Sequence, residues 1–198
     1  MAKYNTNIVF ILSTGLIEYN IAMVLSVNDI DTISLLLSEG KIGVLPTDTI
    51  YGIHCLENRK DLIDKISCIK GREKSIPMIT MICSNKDLMN FGVKLGEFED
   101  KIISEYWPGP NTLIFDLEHN VTKSFRLPNN HFLLSVIKKS GSLVSTSANP
   151  HGMSPSTNIN QAIRYFGKKV DFYVDGGELD NPPSSIYKLS NNKLVKIR

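Results

Sequence analysis

The chain has 198 residues, 42% of them hydrophobic and 21% charged, with 13 glycines and 9 prolines. That length and usage suit one globular domain whose core needs no disulfide or structural metal, and they exclude collagen-like, low-complexity and disordered chains. The 22 basic against 20 acidic residues leave a net charge of +2, which forces neither a nucleic-acid nor a membrane partner.

Along the chain, the first feature is the apolar run Ile8–Ile17 behind a lone Lys3. It is too short to cross a bilayer, Glu18 interrupts it, and no A-x-A cleavage site follows, so no membrane role is expected. We read residues 1–22 as an N-terminal extension that the fold can dispense with, Met23 as a candidate start, and 23–198 as the domain. From Val27 onward, helix and strand signals alternate. Asn28 is placed to cap a helix with Ile30, Ile33, Leu36 and Leu37 on one face, ended by Gly40. Ile42–Leu45 reads as a buried strand stopped by Pro46. A helix after Asn58 carries Leu62, Ile66 and Ile69, with Gly71 at its C-terminus. Pro77–Cys83 reads as a strand, and Ser84 with Asp87 as a capping box. Phe98, Ile102 and Tyr106 mark a helix that Pro108-Gly109-Pro110 ends.

Asn111–Leu117 and Ser124–Leu127 read as strands, and Phe132, Leu133, Val136 and Ile137 as one helix face. Leu143–Ser145 is a short strand opening into a polar loop. Asn158 caps a helix with Ile159, Ala162, Ile163 and Phe166, Phe172–Val174 is a strand, and a hairpin turns at Asn191-Asn192. Such alternation means α/β, and the terminal hairpin makes the sheet mixed.

Cys55, Cys68 and Cys83 form no CxxC pair, and the four histidines form no HExxH. No zinc site or disulfide framework is written here, and reduced thiols in a cytoplasmic protein are the plain reading. Cys55 beside His54 is no dyad, because neighbours on a strand point to opposite faces. Only five of the 22 basic residues are Arg, so an Arg kept among so many Lys is a candidate for bidentate recognition. Arg59 and Arg164, on expected helices, read as solvated charges.

Arg72, in Lys70-Gly71-Arg72, has two readings: a cation meeting a helix dipole, or, with Lys70, a clamp for polyphosphate. The loop Ser145-Thr146-Ser147-Ala148-Asn149-Pro150 follows a strand end, where α/β sheets bind ligands, although GxxxxGK[ST] is absent. Pro46-Thr47-Asp48-Thr49-Ile50-Tyr51-Gly52 also follows a strand. Thr47, Thr49 and Tyr51 could line a pocket for a small polar substrate. A reaction run by positioning and electrostatics needs no nucleophile–base pair.

Seven blocks in register, PTDTIYG (46–52), KGR (70–72), WPGPNTLIF (107–115), FRLP (125–128), STSAN (145–149), DGG (175–177) and PSSI (183–186), make the chain resemble the YrdC-like family of threonylcarbamoyl-AMP synthases. The resemblance implies a single-domain twisted mixed sheet flanked by helices around a deep basic groove. It implies a nucleotidyltransferase that joins ATP, L-threonine and bicarbonate into threonylcarbamoyl-AMP and pyrophosphate. Mg²⁺ would accompany the ATP, and no protein metal site is implied. A partner transferase complex would pass the threonylcarbamoyl group to tRNA.

Carried over by motif, Lys70 and Arg72 would be catalytic, and Lys70, Arg72, Thr112, Ser147, Asn149, Ser154 and Arg198 would bind ATP. Thr49, Arg126 and Ser145 would bind L-threonine. The chain departs from the family where Glu73 replaces a Pro, Ile76 an Asn or Lys, and Met81 a His. The alternative reading is a double-stranded RNA-binding or ribosome-associated module that uses the same groove without turnover.

Overall fold

The computed structural model describes residues 23–198 with their side chains, and residues 7–12 and 15–20 as backbone. β1 (Asn7–Leu12) and β2 (Gly15–Asn20) pair as an antiparallel hairpin in a sheet of their own. The side chains of the 1–22 extension, and with them the Ile8–Ile17 run, lie outside the described residues.

The domain starts with β3 (Met23–Ser26), α1 (Ile30–Ser38), β4 (Gly43–Leu45), β5 (Gly52–Leu56), α2 (Lys60–Lys70) and β6 (Ile79–Met81). The α1 cap is Asp29 rather than Asn28. Its carboxylate turns back to accept from the Ser26 backbone N–H at 2.8 Å and so closes the turn that enters the helix. α2 stops at Gly71, whose φ of +65° is a conformation that favours glycine. A 3-10 turn over Asn85–Phe91 opens with the Ser84/Asp87 capping box. α3 (Glu97–Tyr106), β7 (Asn111–Asp116), β8 (Thr122–Arg126), α4 (His131–Ser140) and β9 (Leu143–Ser147) follow. α5 (Ile159–Phe166), capped by Asn158 accepting from the Gln161 N–H, leads to β10 (Phe172–Asp175) and the hairpin β11 (Ser185–Ser190)/β12 (Lys193–Lys196). Asn191 and Asn192 both take positive φ there, as a two-residue hairpin turn of the I′ kind requires.

Strand boundaries differ from the sequence reading: β3 lies ahead of the alternation that starts at Val27, β8 runs from Thr122 to Arg126 rather than Ser124–Leu127, and three more differ as follows. β5 holds His54 and Cys55 on a strand as expected, but it starts at Gly52, inside the block read as a loop, and its buried faces leave it no alternation to mark that start. β6 is shorter than Pro77–Cys83, because the carbonyls of Ile76 and Pro77 are taken by the Arg72 side chain. β9 runs two residues further, to Ser147.

Among the described residues ten strands form one mixed sheet in the order β12-β11-β7-β8-β6-β9-β5-β4-β10-β3. On one face, Ile53, Cys55 and Val144 pack beneath α2 and α5. Leu113, Phe115 and Phe125 on that face pack beneath α3 and the 85–91 turn. The other face is only half covered. There α1 and α4 bury Met81 and Leu143 against Ile33, Leu37, Leu133 and Val136. Towards the opposite ends of the same strands the cover stops and a cavity begins.

Candidate active site

Registered partners in a sheet share a face, so the pairing identifies the cavity floor. Gly52 opposes Ser147, His54 opposes Ser145, Ser145 opposes Ile79, and Met81 lies beside Arg126. Further out on the same face come Ser124 opposite Ile114 and Ile186 beside Thr112. The resulting cavity is about 430 Å³, within the usual range for small-ligand sites. Its walls are apolar where Ile76, Pro77, Met78, Ile114, Ile186 and Ile197 stand. The polar groups are hydroxyls and three guanidinium groups, those of Arg72, Arg126 and Arg198.

At one end, Arg126 is only 3% exposed. Its Nη2 donates to Asp48 Oδ1 at 2.6 Å, Nη1 to Thr49 Oγ1 at 3.1 Å, and Nε to the Gly109 carbonyl at 3.3 Å. A guanidinium has five N–H donors, so two remain for a ligand. Asp48 is the residue that motif reasoning missed. Its Oδ2 also accepts from the Asn129 N–H at 3.0 Å, which ties the 46–51 loop to the segment after β8. The signal was an acid between two threonines in a chain short of arginine. Thr47 Oγ1 accepts from the N–H groups of Thr49 and Ile50 and lies 3.0 Å from Thr49 Oγ1, which makes it the hub of that loop. Tyr51 lines the cavity, but its hydroxyl is engaged elsewhere: it donates to the Gly177 carbonyl at 2.7 Å and accepts from the Gly176 N–H at 3.0 Å. PTDTIYG and DGG therefore meet in space. Ser145 lines the floor between this end and the next.

At the other end, Arg72 is a brace rather than a bare helix-end cation. Nη1 donates to Thr146 Oγ1 at 3.0 Å, and Nη2 to the carbonyls of Ile76 and Pro77, each at 3.1 Å. Its Nε is buried without a partner. Ser147 lines the cavity beside it. Lys70 does not reach the cavity wall. The residue is 4% exposed, and its ammonium donates to the carbonyls of Ser147 and Asn149, the latter at 2.6 Å, so it fastens the STSAN turn from behind. Burial, with Arg72 adding like charge, lowers its pKa to about 8. Asn149 also turns away. Its amide donates to the Pro150 and Met153 carbonyls, and Oδ1 is buried without a donor. Ser154 is exposed and off the cavity. Thr112 lines the wall through a 2.9 Å hydroxyl contact with Ser184. Arg198 closes the rim by donating to the Ser184 carbonyl at 2.9 Å.

The structure therefore brings Thr47, Thr49, Tyr51, Arg72, Thr112, Arg126, Ser145, Ser147 and Arg198 to one cavity. It leaves Lys70, Asn149 and Ser154 behind or beside it. Ile76 and Met81 both line it, so two of the three departures from the motif pattern sit in the wall, and Glu73 does not. Among the described residues, no three His, Cys, Asp or Glu side chains group as a metal cage, and no helix is long and apolar enough to cross a membrane.

A family model for the Sua5, YciO and YrdC proteins, described as telomere recombination, matches residues 35–198. A Pyrococcus abyssi protein named threonylcarbamoyl-AMP synthase is 28% identical over 72% of this chain and 45% of its own length. One of the same name from Halorhodospira halophila is 26% identical over 74% of this chain and 83% of its own. Among solved structures, an H234A/Y235A variant of P. abyssi Sua5 superposes with a TM-score of 0.83 at 25% identity, over 89% of this chain and 56% of that one. The chain thus spans about half the length of the P. abyssi proteins. With its motifs gathered on one cavity and the model match running from α1 to the last residue, this chain belongs to the Sua5/YciO/YrdC family.

Proposed function

We propose that the chain is a threonylcarbamoyl-AMP synthase, a nucleotidyltransferase that uses ATP, L-threonine and bicarbonate. The observation that carries this reading is the polarity of the cavity. A guanidinium–hydroxyl end of amino-acid size (Arg126, Thr49, Ser145) and a second cationic end (Arg72 with Thr146 and Ser147) share one continuous space. The amine of threonine adds to carbon dioxide from bicarbonate and loses a proton to give a carbamate. A carbamate oxygen then attacks the α-phosphorus, the bond to the bridging oxygen breaks, and pyrophosphate leaves. Carbamate and mixed anhydride both hydrolyse, so the cavity's apolar wall serves by excluding water.

Arg72 would offset charge on the phosphates, and its partnerless Nε is a donor available to an anion. Lys70 would act indirectly by holding the backbone that presents Ser147. Arg126 would offer its two remaining N–H groups to the amino-acid carboxylate while Asp48 fixes its orientation. The described residues supply no carboxylate cage, and Asp48 is committed to Arg126, so a magnesium ion would arrive on the nucleotide's own phosphates as part of the substrate. The product, an activated carbamoyl anhydride, requires an acceptor, for which we propose a tRNA-modifying transferase complex. The RNA-binding alternative is not favoured: Arg126 and Lys70 are too deeply buried for the phosphates of a duplex to reach.

Pyrophosphate release tests the reading. Release that requires ATP, L-threonine and bicarbonate together is expected. ATP turnover indifferent to threonine, or none from folded protein, would sink it.

A further inference from the structure

Followed across the sheet, the strand pairings leave β10 and β11 pointing the same way, with six strands between them. The nine residues 176–184 that join them therefore have to run back across a face of the sheet, with no helix to help. They cross at the cavity. Pro183 and Ser184 line the space, and the Asn181 amide donates to the Asp48 carbonyl at 3.4 Å.

Both ends of this strap are held. Next to β10, the Tyr51 hydroxyl bonds Gly176 and Gly177, and a Cβ on Gly176 would stand 2.6 Å from Pro46, so the strap leaves the sheet tight against the 46–51 loop. The Leu179 N–H then donates to the Thr157 carbonyl at 2.7 Å, and the Leu179 side chain packs on the core beneath α2 and α5. Next to β11, Ser184 is buried, meets the Thr112 hydroxyl and gives its carbonyl to Arg198, and the Ser185 N–H donates to the Pro110 carbonyl at 3.0 Å. Between these anchors Asp180, Asn181, Pro182 and Pro183 are all exposed, and among the described residues their one hydrogen bond is the 3.4 Å contact of Asn181. The two prolines have no N–H to offer, and their fixed φ makes the stretch a stiff arm.

The rest of the cavity wall is better tied. Its floor is the sheet, Thr47 gathers the 46–51 loop, and Arg72 braces Ile76 and Pro77. A space of about 430 Å³ lies low in the range of small-ligand sites, yet on the proposed function it takes a nucleoside triphosphate and an amino acid together. The wall that can give way is the one held by a single long bond.

Resting on the proposed function for the identity of what passes beneath it, we propose that residues 180–183 are a movable roof hinged at Leu179 and Ser184. The roof swings out to admit the substrates and lies back over them, with the Asn181 amide on the Asp48 carbonyl as its catch. The catch thus sits on the residue that holds Arg126. Under an open roof water adds to the mixed anhydride, AMP leaves, and the carbamic acid that remains loses carbon dioxide to return L-threonine. Closure keeps that loss small.

The test uses the full chain and has three arms. The first needs no ligand: in ¹⁵N relaxation of the free protein, the Asp180 and Asn181 amides should show order parameters below about 0.6 or a μs–ms exchange contribution, with Gly176 and Ser185 rigid. Asp180 and Asn181 as rigid as Ser185 on both measures overturn the proposal whatever the protein binds. The second arm adds L-threonine with an ATP analogue whose α–β bridge cannot be cleaved, and both amides should return to rigid values of about 0.85. Motion that persists in a complex whose formation calorimetry shows overturns the roof. The third arm is turnover by Asn181→Ala, a substitution at an exposed residue that should leave the melt unchanged. The share of ATP that ends as AMP rather than threonylcarbamoyl-AMP should rise about threefold or more, the factor expected for one lost hydrogen bond. An unchanged share overturns the catch. A native protein that binds neither ligand refutes the proposed function instead, and the first arm still decides whether the strap moves.

Discussion

Replacing Arg126 by Ala removes one partner of a 2.6 Å ion pair whose side chains are 3% and 9% exposed. Asp48 then keeps its bond from the Asn129 N–H but loses the one counter-charge paired with it among the described residues. Stranding a buried charge in this way costs about 3–5 kcal/mol. In a chain of this size each kcal/mol moves the melting temperature by about 2–4 °C, so Arg126→Ala should melt roughly 6–20 °C lower. Asp48→Asn keeps the shape and strands the guanidinium instead, so it should also destabilise. The double variant Arg126→Ala/Asp48→Asn leaves no unpaired charge, and it should lose at least about 1 kcal/mol less than the sum of the singles. Urea and thermal melts on all four proteins measure the cycle. Calorimetric titration of each adds the functional half: L-threonine affinity should fall with Arg126→Ala, and ATP affinity should change little. Additive losses, or an Arg126→Ala protein that melts like the native one, would refute the view that this pair is buried and interdependent.

The remaining predictions concern His54, Arg72 and the N-terminal extension. His54 has its pKa lowered from 6.5 to about 4 in the fold, so between those values the unfolded chain binds more protons and stability falls as pH drops. At about 1.4 kcal/mol per pH unit the loss approaches about 3 kcal/mol near pH 4, and urea melts on His54→Phe should show a shallower acid limb. Arg72→Lys keeps the charge but cannot span Thr146 and the Ile76 and Pro77 carbonyls, so ATP affinity should drop by about tenfold or more in a binding titration. A chain beginning at Met23 retains β3, the edge strand of the main sheet, and should melt within a few degrees of the full chain. A large drop would mean that the extension packs into the domain.

The parts of the fold legible in the chain are those governed by local chemistry. Gly71 ends α2 because a left-handed residue is wanted there, Ser84 with Asp87 closes a capping box, Asn158 caps α5, and Asn191-Asn192 turns the last hairpin. Each depends on a few neighbouring residues and their φ preferences, which any reader of the sequence has in hand. The motif blocks likewise point to the residues that line the cavity, because their spacing along the chain survives without knowledge of the fold.

Tertiary structure alone decided the rest. β5 has no alternation to betray it, since helices and loops cover both its faces, and burial on two sides is a property of the layers rather than of the segment. That Asp48 rather than solvent meets Arg126 depends on a contact across 78 residues of sequence, closed only when the loop after β4 folds over β8. Lys70 and Asn149 belong to the motif yet face away from the cavity, because the carbonyls of the STSAN turn claim the ammonium and the amide's own loop claims its N–H groups. Which way a polar side chain points is settled by the competition among nearby donors and acceptors, and those neighbours are set by strand order and register, which are not written in any one stretch of the chain.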